Sequence, residues 1–455
     1  MLSLHVSNYI TIRVSDIPKK LMDRFHAMTK HANPLFTQNK KMGFPVEGID
    51  RFIYTRNQTD TEIQIYRGLL GAVIRACKSE HVFYEIIDER LEYEPINLGC
   101  TVKLRDYQEH PVEVMLKRQQ TIGRGAAGSG KTEVFIAAAV GSGQPTLVLV
   151  WQTEQQEVWL TRARKYLKCE IGGIGGVFKE PVITPFTIGM VQSVRNRMDL
   201  VKDVFGCVIC DEASRFAAET LREVVNELPA AYRFAASDDE RRRDGMEFLL
   251  YATFGPLGWK LGLTQGQCPI DIVVVPTKFQ SKTPSYSKLI TELTEDEERN
   301  QLIINLAVDL ASQGHKILIW SDRVGHCVEL RDVLNSKGVV AGLIIGGAEN
   351  KEEATRTKKG LHSGAVSVGL GTSVAEQSLN CPPLSAGIMT CASADTKMFR
   401  FRQMRGRLAR PHESKELGTV YYLWDRKCYS LSRKVHNIQK VFPIKNAEIL
   451  ERKRR

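Results

Sequence analysis

The chain has 455 residues, of which 43% are apolar and 25% charged, the profile of an ordinary globular protein of two or three domains and not of a disordered tail. Its longest apolar runs, such as TLVLVW at 146–151, are far too short to cross a bilayer, and the first residues lack a basic segment followed by an apolar block, so a cytoplasmic protein with no membrane partner is expected. The net charge of +11 is carried by the last 61 residues, which hold 17 Lys and Arg against 6 Asp and Glu, while the remainder is close to neutral. Such a basic end fits a polyanionic partner, and equally a solvated basic face.

Residues 1–98 alternate short apolar strands (YITIRV, RFIYTR) with helical stretches, which predicts a small α+β module. Next comes GRGAAGSGKT, in which Gly125, Gly130, Lys131 and Thr132 satisfy G-x-x-x-x-G-K-[ST] between an apolar lead and the helix-forming run EVFIAAAV. In such a loop the backbone N–H groups, those of Gly128 and Ser129 among them, turn inward around phosphates at a helix N-terminus. Lys131 supplies a point charge for the β and γ groups, and the Thr132 hydroxyl can ligate magnesium. ATP and Mg2+ are the cofactors this pattern implies.

About eighty residues further on, VFGCVICDEASRF reads as a strand buried on both faces that delivers Asp211 and Glu212 at its carboxyl end. Asp211 would hold the magnesium and Glu212 would orient the attacking water, since phosphoryl transfer asks mainly for positioning and charge neutralisation. Cys207 and Cys210 form a C-x-x-C in this strand, but their odd spacing sends the sulfurs to opposite faces, so core packing is expected there and not metal. His315, His326 and His362 show no ligand spacing and are read as satisfied histidines.

From about 270 to 290 the chain turns polar around VVVPTKFQSKTPSYSK, as a hinge would. KILIWSDRVGHCVELRDVL then predicts a buried strand and a helix with apolar residues at Val328, Leu330, Val333 and Leu334, and LGTVYYLWD closes a second sheet. In QMRGRLAR, residues 403–410, Arg407 and Arg410 are three apart and would share one face of a helix, able to grip one anion together. The terminal ERKRR reads as an electrostatic tail.

These segments, in this order, resemble the superfamily 2 helicases and translocases over residues 99 to about 425. LRDYQ (104–108) is similar to the family's L-R-x-Y-Q segment, which implies a contact of Gln108 with adenine; DEAS occupies the DEAD or DEAH position. YRFAASDDE resembles the segment with the Ser-Ala-Thr coupling motif, and QMRGRLARP is similar to Q-x-x-G-R-x-x-R. The nearer likeness is to phage branch-migrating helicases of the UvsW kind, and more loosely to RecG-like and restriction-translocase motors, whence a phage-encoded protein in a host cytoplasm.

The resemblance implies two tandem RecA-like lobes with parallel sheets, at 99–275 and 276–455, preceded by the accessory module at 1–98, whose expected role is DNA binding. It implies that Gln403, Arg407 and Arg410 serve catalysis, the two arginines reaching the γ-phosphate from the second lobe. Arg400, Arg402 and Arg405 are outside the motif and face either nucleic acid or solvent.

Departures fall at coupling positions. Ser237, Asp238, Asp239 and Glu240 stand for Ser-Ala-Thr-Pro, and residues 377–382 read Gln-Ser-Leu-Asn-Cys-Pro where relatives have Glu-Gly-Leu-Asp-Ile-Pro. Ser214 replaces a histidine, and Trp151 and Gln152 stand for Pro-Thr. The expected activity is ATP-dependent remodelling of branched or displaced-strand DNA by a monomer or weak oligomer. A duplex translocase that does not unwind and an ATP-gated clamp are the rivals, and an RNA helicase is disfavoured by the missing P-T-R-E-L and H-R-I-G-R.

Overall fold

In the computed structural model the chain forms two compact units, Met1–Leu263 and Thr264–Arg455. The structure describes residues 1–125, 128–215, 220, 223–237, 244–261, 267–283, 285–372, 379, 381–390 and 398–446. Asp238, Asp239, Glu240, Gln377, Ser378, Asn380 and the basic tail lie outside the described residues.

The first unit opens with the α+β module. Strands β1 (Leu2–Val6) and β2 (Tyr9–Arg13) pair antiparallel, and β3 (Lys30–Ala32) and β4 (Phe52–Tyr54) form a separate two-stranded antiparallel sheet. With β5 (Arg56–Gln58), β6 (Glu62–Tyr66) and β7 (Tyr84–Asp88) the sheet order is β5-β6-β2-β1-β7. Alternate residues of these strands, Leu2, Leu4, Ile10, Ile12, Ile63 and Ile65, bury one face beneath the helices Lys19–Thr29 and Leu70–Ser79.

The larger sheet of this unit is wholly parallel. It contains β8 (Gln120–Gly125), β9 (Thr146–Val150), β10 (Ile171–Ile174), β11 (Phe186–Met190), β12 (Cys207–Asp211), β13 (Tyr232–Ser237) and β14 (Leu257–Leu261). Their order is β10-β11-β9-β12-β13-β8-β14. TLVLV and CVICD are buried at every position because helices cover both faces, which is why they read as unbroken apolar runs. Cys207 belongs to the core on one face and Cys210 to the core on the other, as the strand period requires, and burial pushes both thiols up, that of Cys207 to about 12.

The second unit is built on another parallel sheet: β15 (Ile270–Pro276), β16 (Ile317–Trp320), β17 (Ala341–Ile344), β18 (Val368–Gly371), β19 (Ala386–Met389) and β20 (Gly418–Trp424), ordered β15-β20-β19-β16-β18-β17. Strand β15 corrects the expected hinge and the boundary after residue 275. IDIVVVP pairs along its whole length with β20, so the division of the chain falls before it, between Leu263 and Thr264. Strand β20, expected to close the sheet, lies inside it, between β15 and β19.

Candidate active site

The candidate site grows from the carboxyl ends of the first unit's parallel strands, the edge at which open α/β sheets present ligands. Asp211 at the end of β12 stands in register with Ala236 of β13, which pairs with Gly123 of β8, two residues before the phosphate loop begins. Three adjacent strands thus deliver the acidic pair, Ser237 and the loop to one edge.

Gly128 and Gly130 have φ values of +81° and +87°, the left-handed region in which a side chain is strained. Beyond them the helix Lys131–Ser142 begins, so its unsatisfied N–H groups open onto the loop. Lys131 is buried; its Nζ donates to the carbonyl of Gly125 at 2.7 Å and lies 3.9 Å from Glu212 Oε1. Thr132 follows in the first helical turn, half-buried. The Ser129 hydroxyl is fully buried with no hydrogen-bond partner among the described residues. A buried donor costs free energy when unsatisfied, so an orphaned hydroxyl inside a turn of inward N–H groups fits an anionic phosphate.

Gln108 sits in the third position of the helix Asp106–Arg118. Its Oε1 accepts from the Arg105 N–H at 2.9 Å, and its Nε2 donates towards the carbonyls of Gly130 and Ser129 at 3.3 and 3.4 Å. It therefore braces the loop from beneath, a contact that the family pattern did not supply. A Cβ at Gly130 would stand 2.0 Å from that Nε2, the movable end of a side chain, so it is the positive φ that calls for glycine here.

The acidic pair is held by its surroundings. Trp159, on the helix Thr153–Tyr166, donates from Nε1 to Asp211 Oδ2 at 2.9 Å, and the Glu212 N–H donates to Asp211 Oδ1 at 3.0 Å. Glu212 has φ +57°, uncommon for a residue with a side chain and a conformation that functional sites retain. Ser214 and Ser237 share a 2.5 Å hydrogen bond, so a link between the acidic segment and β13 exists without the family's imidazole. Trp159 was missed in the sequence: a tryptophan 52 positions from its acceptor leaves no local signal.

In the second unit Gln403, Arg407 and Met404 are buried on the helix Phe399–Leu408. That helix ends before Arg410, so the two arginines do not share a helical face as expected. They converge nonetheless: Arg407 Nη1 and Arg410 Nη1, the latter at 3.0 Å, both donate to the Leu379 carbonyl. Arg400, Arg402 and Arg405 are half-buried, and each also packs within this unit. Arg400 pairs with Asp322 and covers the Trp320 ring, while Arg402 and Arg405 lie over Phe442.

His326 is buried between Ser321 and Asn300, with Nδ1 and Nε2 each 2.9 Å from an oxygen, and His315 meets Ser385 at 2.9 Å, so these two are satisfied as expected. No group of His, Cys, Asp and Glu among the described residues is arranged to hold a metal by itself. No helix among them is long and apolar enough to cross a membrane.

Residues 101–237 match the model of the "Type III restriction enzyme, res subunit" family, and residues 298–412 that of the "Helicase conserved C-terminal domain". The chain belongs to the superfamily 2 helicases. It is an ATP-hydrolysing helicase or translocase that acts on nucleic acid, built of two tandem RecA-like lobes with a small α+β region ahead of them. The helicase is 27% identical over 343 residues to "Probable helicase D10" of Escherichia phage T5, covering 73% of each chain. Its fold is similar to S. cerevisiae Dbp5 bound to RNA and ADP BeF3, with a TM-score of 0.57 at 14% identity over 75% of this chain and 88% of that one. The crystal structure of phage T4 UvsW covers 96% of both chains at 18% identity with a TM-score of 0.45.

Proposed function

We propose that this helicase couples ATP hydrolysis to movement on DNA and remodels branched or displaced-strand DNA. The observation that carries the ATPase part is the constellation around Lys131: a phosphate loop with an orphaned Ser129 hydroxyl, and Glu212 Oε1 3.9 Å from Lys131 Nζ. Thr132 and Asp211 would hold Mg2+, which would neutralise negative charge on the phosphates. Glu212 orients the attacking water and accepts its proton. Arg407 and Arg410, brought to one point by the Leu379 carbonyl, supply positive charge to the transferred phosphoryl group, with Gln403 on the helix that carries Arg407.

DNA is favoured by the absence of the RNA-enzyme motifs and by the chemistry of the α+β module. There Lys30 lies 4.0 Å and Arg51 5.2 Å from the Phe52 ring centroid, and Arg56 4.7 Å from that of Tyr54, with Lys40, Lys41 and Phe44 exposed nearby in sequence. Cations set on aromatic faces suit a phosphate backbone and unstacked bases.

The test is the ATPase rate of the full chain with single-stranded, duplex, forked and four-way DNA and with RNA. Forked or branched DNA should stimulate most; equal rates with and without DNA would refute the reading. Glu212→Gln should lower turnover by about a hundredfold or more while DNA binding, measured by anisotropy, stays within about twofold. Undiminished junction remodelling by this variant would favour the clamp.

A further inference from the structure

We propose that Lys415 is a positioning residue for ATP hydrolysis, an ammonium clamp that ties the end of the arginine-bearing helix to the chain segment whose backbone gathers the two arginines. The inference rests on the reading above that Arg407 and Arg410 act on ATP.

Lys415 lies in the connection from the helix Phe399–Leu408 to strand β20. Pro411, Glu413, Ser414, Glu416 and Leu417 of that connection are exposed and His412 half-buried, whereas Lys415 folds inward to 8% exposure. Its Nζ donates to the carbonyls of Leu408 and Leu384, both at 2.8 Å, and of Pro382 at 3.0 Å. An ammonium has three N–H donors and no acceptor, so these three carbonyls satisfy it completely.

The identity of the acceptors gives the clamp its meaning. Leu408 is the last residue of the arginine-bearing helix, where unsatisfied carbonyls concentrate negative charge. Pro382 and Leu384 follow closely on Leu379, whose carbonyl receives both arginines. Lys415 therefore bridges the two segments whose relative placement sets Arg407 and Arg410. An apolar residue of similar length would fill the space and take the ammonium from three carbonyls, two of them in buried contacts, at the two places where the arginines are anchored.

The groups facing the ammonium are the thiols of Cys268 and Cys381 and the guanidinium of Arg410, with His412 on its own connection. Burial, reinforced by Arg410, lowers the Lys415 pKa to about 8. The direction is that of a cation whose charge is disfavoured: the clamp is complete below that value and weakens as pH rises through it, when the neutral amine keeps two donors instead of three.

The experiment measures DNA-stimulated ATP hydrolysis by the full chain from about pH 6.5 to 9.5, with ATP titrated at each pH, for wild type, Lys415→Met, Lys415→Arg and Arg407→Ala. Lys415→Met should lose on the order of tenfold to a hundredfold in kcat near neutrality, with the KM for ATP within about threefold. The alkaline decline of wild type, centred near 8, should be absent from Lys415→Met, and Lys415→Arg, which keeps its charge, should carry activity to higher pH. Wild-type kcat in Lys415→Met, or an unchanged alkaline decline in Lys415→Arg, would overturn the proposal. Should Lys415→Met not fold, the profile of Lys415→Arg decides. If Arg407→Ala also leaves kcat intact, the arginine reading fails; if it abolishes turnover while Lys415→Met does not, the clamp alone fails.

Discussion

The Trp159 indole N–H is the most direct hold on Asp211 that comes from outside its own strand. A buried carboxylate that would ligate a cation through one oxygen is oriented by a donor to the other, and removing such a donor typically costs on the order of tenfold to a hundredfold in metal affinity. Trp159→Phe keeps most of the ring's packing and deletes the donor. It should raise the Mg2+ concentration for half-maximal ATPase about tenfold, with kcat at saturating Mg2+ within about threefold. A Mg2+ titration identical to wild type would show that the indole acts in packing alone. The contrast with Lys131 shows what a sequence displays at this scale. The phosphate loop is contiguous, so its geometry is written in adjacent residues. Asp211 with Trp159, the shared acceptor of Arg407 and Arg410, and the carbonyl cage of Lys415 are meetings of distant segments and leave no pattern in the chain.

Whole elements were legible where local chemistry repeats. TLVLV, CVICD and ILIW are short apolar runs, and each is a fully buried parallel strand. IDIVVVP is also a parallel strand, half-buried at the edge of its sheet, but Pro276 and the polar residues behind it masked it as a hinge; Pro276 is the strand's last residue, where a missing N–H costs little. The end of the arginine helix had a signal that was available: Arg410 precedes Pro411, and a residue before proline avoids helical backbone. The helix Val324–Ser336 carries a testable consequence. Burial and the nearby Arg299 lower the His326 pKa from 6.5 to about 4, because a neutral ring is what fits between Ser321 and Asn300. A depressed pKa means that the unfolded state binds the proton more tightly. The term is therefore fully present above about pH 6.5 and is lost as pH falls towards 4, by up to about 3 kcal/mol. Urea unfolding between those limits should show this acid loss in wild type and a shallower one in His326→Gln. Equal slopes in both proteins would assign the acid sensitivity to other groups.

At the scale of the molecule, the α+β module of residues 1–98 belongs to the same compact unit as the first parallel sheet. Its hold is built from close approach and buried charge. Gly68 lies so near the helix Glu247–Phe254 that a Cβ there would stand 2.4 Å from the Ala252 carbonyl oxygen and 2.5 Å from that of Tyr251. Next to it Arg67 is wholly buried, donating to Gln120 Oε1 at 2.6 Å and to the Ser7 carbonyl at 3.0 Å, and His31 stacks on Phe248 with ring centroids 4.2 Å apart. Arg233, at the start of β13, donates to the Asn8 carbonyl, and burial lowers its pKa to about 9. None of these contacts has a sequence signature, since each joins residues from separate stretches of chain. The clash at Gly68 would be with backbone, which cannot rotate away as a side chain can, so overpacking there should cost about 1–3 kcal/mol. Gly68→Val should therefore lower the melting temperature and make the connection at 89–105 more readily cut by trypsin, with the module's own core intact. Because helix Glu247–Phe254 follows β13 and its Ser237–Ser214 link, the same variant should also reduce stimulation of the ATPase by forked DNA more than the basal rate. A variant that melts and is cleaved like wild type, with unchanged stimulation, would show that the close approach holds nothing in place.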